Sequence, residues 1–230
     1  MCGIVAYIGG RDSVPILLEG MARLEYRGYD SAGLAVLSRG GDMRVRKAKG
    51  RVGELAANVP PRFKGSPGIG HTRWATHGEP SDANAHPHTC GPIAVVHNGI
   101  IENASELRAK LAAAGAEFTS ETDSELFAHL IAARPEDDLE EAVRSALKQV
   151  VGTYGLAVLD SRSPDRMVVA RNGSPVLLGL GDKEMFAASD VAAIVRYTRQ
   201  VVHLDDGEIA TVMADGFRTS TLDARRTTKQ

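Results

Sequence analysis

The tightest constraint on the fold of this chain is a set of short, uninterrupted apolar runs. Ile4-Val5-Ala6-Tyr7-Ile8, Ile93-Ala94-Val95-Val96 and Leu156-Ala157-Val158-Leu159 are too short for buried helices and read as inner strands. Further short strands are expected over residues 33–38, 43–49, 69–72, 167–170, 176–178, 185–188, 201–204 and 209–213, with turns between many of them. Helical patterns accompany them. Ser13 is expected to cap a helix with the stripe Ile16, Leu17, Met21 and Leu24, ended by Gly28. Shorter or amphipathic helices are expected over 51–58, 104–114, 126–133, 139–151 and 190–195. Two of them follow a capping-box spacing, Asn103 with Glu106 and Thr122 with Glu125. Many short strands favour antiparallel sheets over βαβ winding, and the amphipathic helices need sheet faces to cover. The economical solution is an α+β, four-layer αββα sandwich, with two antiparallel sheets between helical layers.

Bulk properties narrow the function classes. At 230 residues, about 70% of the unfolded surface would be buried on folding, enough for one sizeable domain or two small ones. The net charge of −2 supplies no global field for nucleic acid or an anionic membrane. Two cysteines, Cys2 and Cys90, make no disulfide framework and fit a reducing, cytoplasmic setting. No run reaches the roughly 18 apolar residues of a membrane span, and the N-terminus does not read as a signal peptide. Residues 223–230 are polar and basic and read as a linker-like tail after a domain over 1–222.

Cys2 is the residue with the most chemistry in it. Removal of Met1 would leave a thiol and a free α-amine on one residue. An α-amine titrates near ~7.7–8.0, so a fraction is unprotonated at neutral pH and can serve the thiol as base. N-terminal threonine enzymes use that arrangement. The alternative is a small buried cysteine beginning an inner strand.

Three polar stretches add candidate partners. His71-Thr72-Arg73-Trp74-Ala75-Thr76-His77-Gly78 reads as a loop at a sheet edge, where Arg73 could grip a carboxylate bidentately or simply face solvent. In His97-Asn98-Gly99, the Asn98 amide and the Gly99 N–H could converge as an oxyanion hole, or the pair could be an ordinary turn. Asp123, expected in a first helical turn, is either a macrodipole partner or a counter-ion for a substrate ammonium.

Taken together and in order, several segments resemble the class II, N-terminal-nucleophile glutamine amidotransferases. They are Cys2-Gly3-Ile4-Val5, Leu24-Glu25-Tyr26-Arg27-Gly28-Tyr29-Asp30-Ser31-Ala32-Gly33, the stretch from His71 to Pro80, Asn84-Ala85-His86-Pro87-His88, His97-Asn98-Gly99-Ile100-Ile101-Glu102-Asn103 and Ser120-Glu121-Thr122-Asp123. The run from Tyr26 to Gly33 and the Ile100-Ile101-Glu102-Asn103 continuation point to the branch that aminates a sugar phosphate. Amidophosphoribosyltransferase-like or asparagine synthetase-like enzymes are the alternative. The resemblance implies an N-terminal-nucleophile hydrolase fold and L-glutamine as substrate, with no cofactor and no metal. It implies Cys2 as nucleophile, Asn98 and Gly99 as oxyanion hole, and Arg73 and Asp123 on the two charged ends of glutamine. Trp74, Thr76 and His77 would lie on a closing loop, and Arg27 would support the terminus. It further implies a fused sugar-isomerase half as partner, with neither nucleic acid nor membrane.

Other readings fit less well. His71, His77, His86, His88 and His97 cluster in sequence, but no His-Glu-x-x-His helix is present and Cys90 has no partner at zinc-finger spacing. Asp30-Ser31-Ala32-Gly33 lacks the glycine two before the serine that a nucleophile elbow needs. Gly68-Ile69-Gly70 and Gly179-Leu180-Gly181 lack the third glycine of a dinucleotide fingerprint. The basic stretch over 44–51 reads as a solvated edge strand rather than a nucleic-acid surface.

Overall fold

The computed structural model describes residues 2–75, 78–134 and 138–229. In chain order the elements are β1 (Gly3–Gly9), α1 (Ser13–Arg23), β2 (Ser31–Leu37), β3 (Met43–Lys49), α2 (Val52–Ala57), β4 (Gly68–Arg73), β5 (His88–Cys90), β6 (Ile93–Ile101), α3 (Ala104–Ala113), α4 (Glu125–Ala132) and α5 (Leu139–Leu147). The β-rich half follows as β7 (Gly152–Asp160), β8 (Arg166–Asn172), β9 (Leu177–Leu180), β10 (Glu184–Ala188), β11 (Val201–His203), β12 (Glu208–Met213), β13 (Gly216–Thr221) and β14 (Arg226–Thr227).

The strands form two seven-stranded sheets, ordered β11-β9-β10-β1-β4-β2-β3 and β14-β13-β12-β8-β7-β6-β5. All the strand pairings within them are antiparallel. Side-chain alternation explains why the inner runs are apolar throughout. On β1, Ile4, Ala6 and Ile8 enter the core between the sheets, while Val5 and Tyr7 pack with Leu17 and Met21 of α1. On β6, Ala94 and Val96 face the inter-sheet core, and Ile93 and Val95 meet α4 and α5 through Phe127, Ile131 and Val143. Burying such a side chain contributes about 1.5–3 kcal/mol. The result is the expected αββα sandwich, with α1 and α2 on one sheet and α3, α4 and α5 on the other.

The local signals are reassigned at several points. Asp12, not Ser13, caps α1 by accepting from Val14 N, while Ser13 is buried and donates to the Gly65 carbonyl. Neither capping box forms. The Asn103 amide instead spans to Gln149 O and Val151 N, and the Glu125 carboxylate takes the N–H and hydroxyl groups of Thr119 and Ser120. In both cases a tertiary partner outcompetes the local one. The helix expected over 190–195 is a single 3₁₀ turn, Val191–Ala193. Strands β5, β13 and β14 were not apparent in the apolar pattern, being short or polar edge elements. Residues read as a tail contribute β14, and Lys229 reaches Asp205 and Glu208 at 2.6 Å each. The basic stretch is the edge strand β3, as expected.

Candidate active site

Parity places the site. On the inner faces of the facing sheets, the apolar series Ile8-Ala6-Ile4 on β1, Ile69 on β4 and Ala94-Val96 on β6 continue in steps of two to Cys2, to His71 and Arg73, and to Asn98. The inter-sheet core thus ends in polar residues at one edge of the sandwich. His71 and Arg73 are on strand β4 and Asn98 and Gly99 on β6, so neither the loop expected from His71 onward nor a turn at Asn98-Gly99 describes them.

Around the sulfur, Trp74 N–H donates to Cys2 Sγ at 3.2 Å, and the thiol lies 3.6 Å from the Trp74 carbonyl. Burial pushes the Cys2 thiol up from its ordinary value, against the Trp74 N–H and the Arg73 charge, which favour the thiolate. The sulfur therefore needs a base to be ionised at neutral pH. Asn98 Nδ2 donates to the Cys2 carbonyl at 3.0 Å, and Asn98 Oδ1 meets His71 Nε2 at 3.0 Å.

The strand edge beyond β5 supplies further donors. His97 N–H goes to His86 Nδ1 at 3.2 Å and Ile101 N–H to Asp123 Oδ2 at 2.8 Å. β5 pairs with β6 only as far as Val95. Gly99, midway between His97 and Ile101, directs its N–H to that same open edge. Its φ of 141° and the 2.0 Å approach of the Thr153 carbonyl to an added Cβ make glycine obligatory there.

Cys2, Arg73, Trp74, Gly99 and Asp123 line one small cavity together with His86, His97, Thr122 and Ser124. Arg73 is buried and donates to the carbonyls of Gly78 and Glu79 at 3.1 and 3.4 Å. Asp123 precedes α4 instead of lying in its first turn, and the Ile101 N–H holds its carboxylate. Trp74 is 44% exposed, with its ring edge against Tyr29. Thr76 and His77 lie outside the described residues, as does Met1. Arg27 lines a second cavity with Cys2, Trp74, Asn98 and Gly99, its guanidinium 2.5 Å from Asp190. A roomier cleft at the far end of β1 is ringed by Arg39, Arg44, Arg62 and Lys64 but contains no nucleophile of this kind.

Several residues that the motif segments contain, but to which sequence reasoning gave no role, support the site. Asn84 is buried and bonds both Glu79 O and Glu121, tying the end of the Arg73 segment to the segment that presents Asp123. Gly78, at φ 74°, leaves room for this clasp, since its Cβ would come within 2.8 Å of Asn84 Nδ2. Asp30 accepts from Ala75 N–H at 2.6 Å. Of the clustered histidines, His86 stacks on His71 at 4.0 Å, His88 meets Thr122, and His97 meets Ser124. Among the described residues no group of three or more His, Cys, Asp or Glu is arranged to hold a metal. Nor is any described helix long and apolar enough to cross a membrane.

Comparison with known proteins adds independent findings. Residues 71–196 match the glutamine amidotransferase domain family. A curated relative from Chlorobaculum tepidum, glutamine–fructose-6-phosphate aminotransferase (isomerizing), is 53% identical over 97% of this chain. A relative of the same name from Aquifex aeolicus is 50% identical over 94%. The chain spans only 38% and 37% of their lengths. Among solved structures, the glutamine phosphoribosylpyrophosphate amidotransferase of B. subtilis superposes with a TM-score of 0.84 at 25% identity, over 96% of this chain and 49% of that one. A glutamine aminotransferase class-II domain protein from Silicibacter pomeroyi gives 0.64 at 18% identity, over 96% and 99%, a likeness of fold.

Proposed function

The chain belongs to the glutamine amidotransferase domain family, and we propose that it hydrolyses L-glutamine to L-glutamate and ammonia with Cys2 as nucleophile. The observation that carries this reading is the convergence of one sulfur, one guanidinium and one carboxylate on a single small cavity, with the Gly99 backbone at its wall. Glutamine presents one anionic end, one cationic end and one amide.

Arg73 receives the α-carboxylate and Asp123 the α-ammonium. The Cys2 α-amine, freed by loss of Met1, takes the thiol proton. The thiolate attacks the side-chain amide carbon, and the developing oxyanion is met by Asn98 Nδ2 and Gly99 N–H. The protonated amine returns its proton to nitrogen as the carbon–nitrogen bond breaks and ammonia leaves. Water then cleaves the γ-glutamyl thioester, giving glutamate and restoring the thiol. Trp74, Thr76 and His77 belong to the segment that closes over the substrate, and Arg27 supports the nucleophile from the second cavity.

The relatives' names support fructose 6-phosphate as the ammonia acceptor in a longer protein that also carries a sugar-isomerase half; the amidotransferase domain, expected over 1–222, takes in β14 as well and so extends past residue 222. The higher identity to those relatives, 53% against 25%, favours this over the phosphoribosyl branch. The cysteine content and charge fit a cytoplasmic enzyme without nucleic-acid or membrane partners. Intact-mass analysis after treatment with a glutamine-like electrophile tests the core of the reading. The expected product lacks Met1 and carries one adduct on Cys2; an adduct on Cys90, or full activity with Met1 retained, would refute it.

A further inference from the structure

His71 is fully buried behind the nucleophile and takes no part in the steps above. Its hydrogen bonding nevertheless permits only one arrangement. The Cys2 carbonyl can only accept, so the Asn98 atom 3.0 Å from it must be the amide nitrogen. The other end of that amide, Oδ1, then faces His71 Nε2 and can only accept as well. His71 must therefore carry its proton on Nε2.

The surroundings agree. His71 Nδ1 is buried and makes no hydrogen bond of ordinary geometry, which is compatible with a bare lone pair there once Nε2 holds the proton. The His86 ring stacks on the His71 ring at 19°. Burial, partly offset by the Asn98 bond and by the His97 backbone, lowers the His71 pKa to about 3, so the ring is singly protonated at neutral pH.

We propose, building on the oxyanion role of Asn98, that His71 in its Nε2–H tautomer is the positioning residue that locks the Asn98 amide. With Oδ1 fixed by His71 and one Nδ2 hydrogen fixed on the Cys2 carbonyl, the second Nδ2 hydrogen has a set direction for an oxyanion. Without His71, the amide can rotate and present oxygen instead, which repels developing negative charge.

The first test needs no substitution. Long-range ¹⁵N–¹H spectra of the Met1-processed protein should show His71 with a protonated Nε2 and an unprotonated Nδ1; the reverse tautomer would overturn the assignment. The second uses side-chain geometry, because a glutamine amide nitrogen overlays Nε2 of histidine whereas an asparagine amide nitrogen overlays Nδ1. His71→Gln should keep kcat for glutamine hydrolysis within about threefold. His71→Asn should lower kcat at least about tenfold with KM within about twofold, up to the ~10²–10³-fold expected for losing an oxyanion donor. Equal kcat in His71→Asn and the parent would sink the proposal. The His71→Asn loss should largely vanish in an Asn98→Ala background, and multiplicative losses would count against it. Asn98→Ala with parental kcat would instead refute the oxyanion role of Asn98, a separate failure. If the variants do not fold, the spectrum of the unsubstituted protein still decides.

Discussion

At Gly99 an added methyl would lie 2.0 Å from the Thr153 carbonyl oxygen and 2.8 Å from His97 Nε2. Neither neighbour can yield, since one is backbone in β7 and the other is a ring held by Ser124. Gly99→Ala should therefore cost about 1–3 kcal/mol or more in strain and displace the N–H from the cavity. A lowered urea midpoint together with a collapse of glutamine hydrolysis is expected; a variant of parental stability and rate would contradict the geometry. Arg73 is a different case, because its guanidinium would bind substrate charge. Arg73→Ala should raise KM for glutamine by about 10–100-fold, the worth of a charged hydrogen bond of ~1.5–3 kcal/mol. An unchanged KM in a folded variant would remove Arg73 from the carboxylate site. Cys2→Ala should abolish ammonia release and Cys90→Ala should leave it near the parental rate, whereas equal losses would unseat Cys2.

At the level of elements, α1 and α4 show two ways of securing a helix start. Asp12 accepts from Val14 N and from Gly65 N, so Asp12→Ala should destabilise by about 1 kcal/mol, read as a lower denaturant midpoint. For α4 the critical group is Glu125, the first helical residue. Burial pushes its carboxyl up, but His129, Ser120 and Thr119 outweigh that and hold it well below the usual carboxylate range. A depressed folded-state pKa contributes stability that is present above the unfolded value, ~4.3, and is lost as pH falls below it. Stability from pH 7 to 3 should decline on the acid side, and Glu125→Gln should flatten that decline while lowering stability at pH 7. An acid limb of unchanged slope in the variant would contradict the assignment.

For the molecule as a whole, the chain covers 38% of the first relative's length, so the proposed glutamine hydrolysis can be tested apart from the proposed amination of an acceptor. The 230-residue chain should release ammonia from glutamine yet form no glucosamine 6-phosphate when given fructose 6-phosphate; detection of the amino sugar would overturn that division. The inner strands and the helical layers were legible in the sequence by itself, because hydrophobic periodicity is a local property, and Cys2 stood out as a candidate because a thiol beside a free α-amine is chemistry that one residue can carry. The motif residues also pointed to one ligand. What they could not convey is that residues 2, 71, 73 and 98 share one edge of the inter-sheet space. Parity along each strand is readable from the sequence, but which strands face each other is not. The same limit hid the role of Asn84, whose partners at 79 and 121 are brought to it only by folding, and the failure of the capping boxes, where other partners outcompeted the local ones. Sequence thus determined the parts and the chemistry each could do. Tertiary structure decided which parts meet, because the packing of two sheets, not proximity along the chain, sets the distances over which hydrogen bonds and charges act.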